Sequence, residues 1–295
     1  MNDQNPLSDL LANAIAAAAR GVAHLEGRCA AASGSVWSAD GVIVTALHAI
    51  GPTDELRATF DDGRSLDARV VGRDPSTDLA VLRVDAADLT PLTWKDADGV
   101  RVGHLVTPLG RPAGALRATL GMVSSLGGAI RTAGGGTLDH HIEVDGSLPR
   151  GFAGGPLIDH TGGALGMNTG ALVRGGVTVP TSTLRRVIPT LLTEGRVGRG
   201  FLGVGVHPVR VPESVASVVP QRWAVMVVSL DAGSPAAQAG MHVGDVVLSV
   251  EGAAVQHPGD LVAALSGRAH QSITLRVARA GELRDFTVRL GLRDA

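Results

Sequence analysis

The 295-residue chain carries 26 Lys and Arg against 28 Asp and Glu, a formal net charge of −2 at pH 7. That balance gives no general attraction to nucleic acid or to an anionic membrane surface, and four Phe, three Trp and no Tyr leave few rings on which bases stack. A single cysteine, Cys29, excludes an intramolecular disulfide and a four-cysteine zinc site.

The length suffices for two domains with cores of Val, Leu, Ile and Ala. Cys29 reads as a small apolar residue, buried or half-buried. The first element, residues 1–21, reads as a helix. Ser8 is placed to cap it, and Leu7, Leu10, Leu11, Ile15 and Ala18 fall on one face. The apolar run 10–19 is too short to span a bilayer. Asp3 and Asp9, with no Lys or Arg beside them, give the wrong charge for a signal peptide. Together with the absence of disulfide chemistry, this predicts a cytoplasmic protein; a periplasmic or secreted one would need a signal removed beforehand.

Residues 22–196 read as short strands broken by Gly, Pro and Asp: 33–38, 41–45, 56–60, 68–72, 79–84, 105–109, 119–125, 141–144, 164–168 and 177–179. Asp61-Asp62-Gly63-Arg64 is a hairpin turn between two of them. The stretch 100–114 bridges two groups of strands, which predicts a mainly β fold with two six-stranded barrels. A helix follows over 181–194, capped by Thr181 or Ser182, with Leu184, Val187, Ile188 and Leu191 on its apolar face. Residues 197–295 then begin a second domain of short strands with a helix near 258–265. His140 and His141 are neighbours, so on a strand they point to opposite faces, and neither a metal nor a cofactor is expected.

Three places carry chemistry. His48 lies in Val-Thr-Ala-Leu-His-Ala, and Asp78 in Asp-Pro-Ser-Thr-Asp-Leu-Ala-Val-Leu. The third is Gly151-Phe152-Ala153-Gly154-Gly155-Pro156. The first two supply a base and a carboxylate to orient it. The glycines of the third let the amides of Gly151 and Ala153 point at one spot, where an oxyanion would be held. This loop reads as the nucleophile loop of a trypsin-like serine protease with alanine where serine is expected.

These segments, in order and with "RVGHLVTPLG", "TLGMVSSLG", "ALGMNT", "RGFLGVGV" and "AGSPAAQAGMHVGDVVLSVEGAAV", resemble the HtrA/Deg family of serine proteases. The resemblance implies a chymotrypsin-like double β-barrel followed by one PDZ domain and a homotrimer. It implies action on unfolded or specific protein substrates. It also implies that Ser147, Leu148, Asn168, Thr169, Gly170, Ala171 and Leu172 form the specificity pocket and substrate strand. None of these is acidic, so a buried Lys or Arg would lack a partner, and cleavage after small or medium aliphatic residues is expected.

By the same resemblance Phe201, Leu202, Gly203 and Val204 form a loop for the carboxylate of a peptide C-terminus, with Arg199 adding charge. Leu261 and Leu265 then line its side-chain pocket or pack the core. Alanine has no lone pair for attack, so the chain as written is expected to bind substrate without cutting it. Two origins for Ala153 stand open, a deliberate Ser→Ala change and a natural pseudoprotease that serves as a binding adaptor.

Overall fold

Strand β3 shows why the chain folds as it does. The computed structural model describes residues 6–27, 31–132, 134–172 and 176–293, so Cys29 lies outside the described residues. All five residues of Val42–Ala46 are buried, because the strand serves two cores at once. Ile43 points into a barrel interior with Leu25 and Leu82. Val42, Val44 and Ala46 point the other way, onto Leu184, Ile188 and Leu191. Burial of each large aliphatic side chain stabilises by about 1.5–3 kcal/mol.

That barrel is closed and six-stranded. β1 (Val22–Glu26), β2 (Ala31–Ser38), β3 (Val42–Ala46), β4 (Glu55–Thr59), β5 (Ser65–Asp74) and β6 (Leu79–Val84) run in the order β1-β2-β3-β6-β5-β4. Ahead of it, helix α1 spans Pro6–Ala19. It begins two residues before Ser8, on a proline whose missing N–H is harmless in a first turn, so Ser8 is not its cap. It docks by part of the predicted stripe, with Ile15 packed against the cluster that buries Ala18. Ala14 and Ala18 are buried with Leu92, Leu109 and Ile158, while Leu7 and Leu10 stay 49% and 43% exposed. A Cβ on Gly162 would lie 2.8 Å from the Ala14 carbonyl, an approach that favours small residues on the docked face.

The one-turn helix α2 (Leu47–Ile50) joins β3 to β4 within the barrel, and the second half of this unit is a seven-stranded sheet. Its strands are β7 (Leu105–Gly110), β8 (Arg117–Ala118), β9 (Gly121–Gly127), β12 (His141–Val144), β13 (Pro156–Ile158), β14 (Ala164–Thr169) and β15 (Val177–Pro180). The path runs β12-β9-β7-β13-β14-β15, with β8 on β7. The expected second six-stranded barrel is thus barrel-like but carries no ladder between its end strands β12 and β15. A small hairpin, β10 (Ile130–Arg131) with β11 (Thr137–Leu138), stands apart. Helix α3 (Thr181–Glu194) buries the predicted face and ends on Gly195, whose N–H returns to the Leu191 carbonyl. Thr181 does not cap it; that hydroxyl donates to the Ala164 carbonyl at 3.1 Å.

The chain divides after Val197 into two compact units. The second contains β16 (Arg199–Phe201), β17 (Val204–Arg210), β18 (Trp223–Leu230), α4 (Pro235–Gln238), β19 (Val246–Val250) and β20 (Ala253–Ala254). It continues with α5 (Pro258–Leu265), β21 (Ser272–Arg279), β22 (Glu282–Arg289) and β23 (Gly291–Arg293). Its main sheet runs β17-β18-β19-β21-β22, which leaves β17 at an edge. Arg279 clamps the buried Asp245 carboxylate with two bonds of 2.6 Å. Burial alone raises the Asp245 pKa; the Arg279 bonds and the His242 amide hold it below the usual carboxylate value.

Candidate active site

The register of β3 against β6 assembles the charged pair. Ala46 lies opposite Leu79, so the residues just beyond each strand end run side by side. His48 occupies α2 there, and Asp78 is the residue before β6. The Leu47 amide donates to the Asp78 carbonyl at 2.9 Å. The His48 amide donates to Asp78 Oδ1 at 2.9 Å, and His48 Nδ1 donates to Oδ2 at 2.6 Å. The Thr169 hydroxyl, at the end of β14, donates to the same Oδ2. Asp78 is 5% exposed and sits at φ 56, a left-handed conformation that Asp tolerates better than most residues.

The Asp78 hydrogen bond raises the His48 pKa, partial burial opposes it, and the Asp78 charge adds to the rise. With Nδ1 engaged, Nε2 has no partner among the described residues and is the nitrogen available to take and return a proton. His48 is 40% exposed on its side chain, so the nitrogen is accessible.

The loop carrying Ala153 is fastened to β2. Ser33 Oγ donates to the Gly151 carbonyl at 2.6 Å and accepts from the Arg111 amide at 2.8 Å. The Ser33 amide donates to the Ala153 carbonyl at 3.1 Å, and Ser35 Oγ donates to the Gly154 carbonyl at 2.9 Å. The Phe152 amide closes a turn on the Pro149 carbonyl at 3.2 Å. Gly151, third in that turn, has φ 81, and a Cβ there would meet Pro112 Cβ at 2.3 Å; only glycine fits. Among the described residues no acceptor takes the Gly151 or Ala153 amide. The Phe152 ring is 2% exposed and packs against Gly110 at the end of β7, so it belongs to the body of the unit.

The residues assigned to a specificity pocket separate into two groups. Ser147, Leu148 and Asn168 line a cavity of about 130 Å³ together with Gly176, Val177 and Thr178. Gly170, Ala171 and Leu172 do not line it, and the Thr169 side chain is engaged by Asp78. Asp145 does line it, so the wall is not free of acid; its Oδ1 accepts the Met122 amide at 2.6 Å. The sequence reading missed Ser33, the support given by Thr169, and Arg111. The Arg111 guanidinium reaches the Val22, Ala19 and Gly114 carbonyls and Asp61. No local pattern marks these residues, because their partners are remote in sequence.

In the second unit, Gly203 has φ 76 and a Cβ there would strike Ser234 Cβ at 2.2 Å. The Leu202 and Gly203 carbonyls accept from Ala236 and Asp231 at 3.0 Å each, while their amides have no acceptor among the described residues. Leu261 and Leu265 are 3% and 8% exposed, within the core that also contains Leu202 and Val225. Both are thus buried in the core of this unit. The Arg199 side chain lies outside what the structure describes.

This geometry defines a trypsin-like peptidase unit joined to a PDZ unit. A family model for the trypsin-like peptidase domain matches residues 32–167, and one for the PDZ domain matches residues 226–279. The probable periplasmic serine endoprotease DegP-like of Brucella suis is 36% identical over 235 residues, 77% of this chain and 45% of that protein. The protein of the same name from Halomonas elongata is 35% identical over 279 residues, 91% of this chain and 58% of that protein. The chain thus spans about half the length of these curated relatives. Among solved structures, a serine-to-alanine form of the HtrA-type protease AlgW with a tripeptide is 31% identical, with a TM-score of 0.79 over 96% of this chain and 97% of that one. The serine endoprotease of Yersinia pestis is 26% identical, with a TM-score of 0.77 over 96% and 98%.

The chain belongs to the HtrA family of serine proteases, with a PDZ domain C-terminal to the protease domain. The relatives are named as periplasmic, which overturns the cytoplasmic expectation. The physical reason is that barrels built on aliphatic cores need no disulfide, so a single cysteine carries no information about compartment.

Proposed function

We propose that the chain is the catalytic and peptide-binding portion of a periplasmic HtrA-type serine endoprotease, silenced at Ala153. Residues 22–196 form the protease and 197–295 the PDZ domain, and its substrates are unfolded or specific protein chains. The observation that carries this reading is the hydrogen-bonded series Thr169–Asp78–His48, in the same unit as a loop with two amides that no acceptor takes among the described residues.

With serine at 153, the hydroxyl attacks the substrate carbonyl while His48 Nε2 takes its proton. The amides of Gly151 and residue 153 hold the oxyanion. The imidazolium, steadied by Asp78, then protonates the leaving amine, and water repeats the sequence on the acyl-enzyme. Alanine keeps the oxyanion amide and lacks only the attacking oxygen, a loss on the order of 10⁶ in turnover. The cavity beside Leu148 selects aliphatic side chains. The Gly203 loop receives the carboxylate of a peptide C-terminus, and the assembly is a homotrimer, which light scattering tests.

The decisive experiment compares casein turnover by the chain as written, Ala153→Ser, and Ala153→Ser with His48→Ala. Cutting, and labelling by a fluorophosphonate, are expected only from the second. A folded Ala153→Ser protein that binds casein yet neither cuts nor labels would make the chain a binding adaptor instead.

A further inference from the structure

The edge strand β17 has a determinable hydrogen-bonding parity. The Val227 amide donates to the Asp245 carbonyl, and the Val227 carbonyl accepts from Gly244, both at 2.8 Å. Val227 therefore faces β19, and by the two-residue period of a strand Val225 does as well. Val206 lies opposite Val227 and Pro208 opposite Val225, so neither is bonded across that ladder. On the other parity, the Gly203 carbonyl accepts from Asp231 on the β18 side. The irregularity between Gly205 and Val206 is a residue extra on β18, since Ser229 and Val227 are successive partners; β17 keeps its own alternation. Val204, Val206 and Pro208 thus turn their backbone groups to the open edge.

At the third of these positions there is no N–H, and a pyrrolidine ring stands in its place. Proline is tolerated in an edge strand in this orientation, and there it ends pairing with any further strand. We infer that Pro208 limits backbone recognition at this edge to about the last three residues of a bound C-terminal peptide. The inference rests on the proposed role of the Leu202–Gly203 amides as the carboxylate site. A terminal residue held there lies opposite Val204, the residue two before it lies opposite Val206, and the residue four before it meets Pro208. The first two find both a donor and an acceptor; the last finds a carbonyl and a ring. The fitting partner is therefore a short free C-terminus whose upstream chain leaves the sheet, not a long segment added as a full strand.

The test uses the full chain and acetylated polyalanine peptides ending in Val, of two, four, six and eight residues, each with a free or an amidated C-terminus. Backbone amide shifts of Gly203, Val204 and Val206 report binding. Affinity is expected to rise between two and four residues and to change less than twofold from four to eight. In Pro208→Val, and in Pro208→Ala as a check on folding, the eight-residue peptide is expected to bind threefold to tenfold more tightly than the four-residue one, the range of one or two added hydrogen bonds. A tenfold gain from four to eight residues in the unaltered chain overturns the limit and leaves the carboxylate site standing. So does a Pro208 variant in which the longer peptide gains nothing. Equal binding of free and amidated peptides, or binding of neither, overturns the carboxylate site and the limit with it.

Discussion

Two loops of this molecule share one device and differ in what surrounds it. In the first unit Gly151 at φ 81, and in the second Gly203 at φ 76, turn the chain so that neighbouring amides have no acceptor among the described residues. Both positions forbid a side chain, by 2.3 Å to Pro112 and 2.2 Å to Ser234. The Gly151 loop is held by the hydroxyls of Ser33 and Ser35, and the same unit holds a histidine hydrogen-bonded to a buried carboxylate. Around Gly203 stand apolar walls and a bare strand edge. A carboxylate brings its own charge and needs only donors. An oxyanion exists only while a bond is being made, so its donors are useful only beside a group that moves a proton. On the proposed reading, a histidine–carboxylate pair accompanies the loop that would serve bond making, and the loop that would only hold a ligand needs none.

The sharpest way to break this contrast is to remove the proton-moving half. In the Ala153→Ser protein, Asp78→Asn is expected to lower kcat by about 10⁴, because the Nδ1 proton loses its acceptor and the imidazole its tautomer. Peptide affinity at the Gly203 loop is expected to stay within twofold. Steady-state cleavage of an aliphatic peptide ester and a peptide titration read the two effects separately. A parallel fall in both would show that the loops are not independent devices.

A pair of alanine substitutions then sharpens it. Gly151→Ala in the serine-restored protein is expected to reduce kcat by about 10²–10³, the effect of losing an oxyanion donor, with little change in KM. Gly203→Ala is expected to weaken binding of a free C-terminal peptide at least tenfold and to leave ester cleavage unchanged. If Gly151→Ala raised KM with kcat intact, the loop would be serving substrate affinity rather than the transition state.

The two halves of the comparison were unequally legible in the sequence. His48, Asp78 and the glycine loop stand in local patterns, each set by a strand end or a tight turn. Residues that support them are joined through ladder register alone: Thr169 meets Asp78 across 91 positions and Ser33 meets Gly151 across 118. Helix α1 was legible in part. Ile15 and Ala18 of its predicted face pack on the body of the unit, but the Gly162 turn comes close to Ala14 while Leu7 and Leu10 stay exposed, a steric choice that periodicity does not contain. Pro208 was visible from the start and meaningless until Val227 fixed which way β17 faces.

The smallest expected effect is in stability against pH, and it isolates the His48–Asp78 bond in the chain as it stands, without catalysis. The hydrogen bond to Asp78 raises the His48 pKa above the ordinary imidazole value. A group whose folded pKa is raised binds its proton more tightly when folded, so its contribution is complete below the unfolded pKa and is lost as pH rises through the folded one. Unfolding free energy should therefore fall, as pH rises from the ordinary imidazole value through the raised one, by more than in Asp78→Asn. With His48 40% exposed on its side chain, solvent screening keeps this difference below about 1 kcal/mol. Urea melts at intervals of half a pH unit are sufficient to resolve the slope, and the imidazole carbon-bound proton of His48 gives the pKa directly by NMR. Should the two proteins show the same slope and the same His48 titration, the carboxylate would be positioning the ring without charging it.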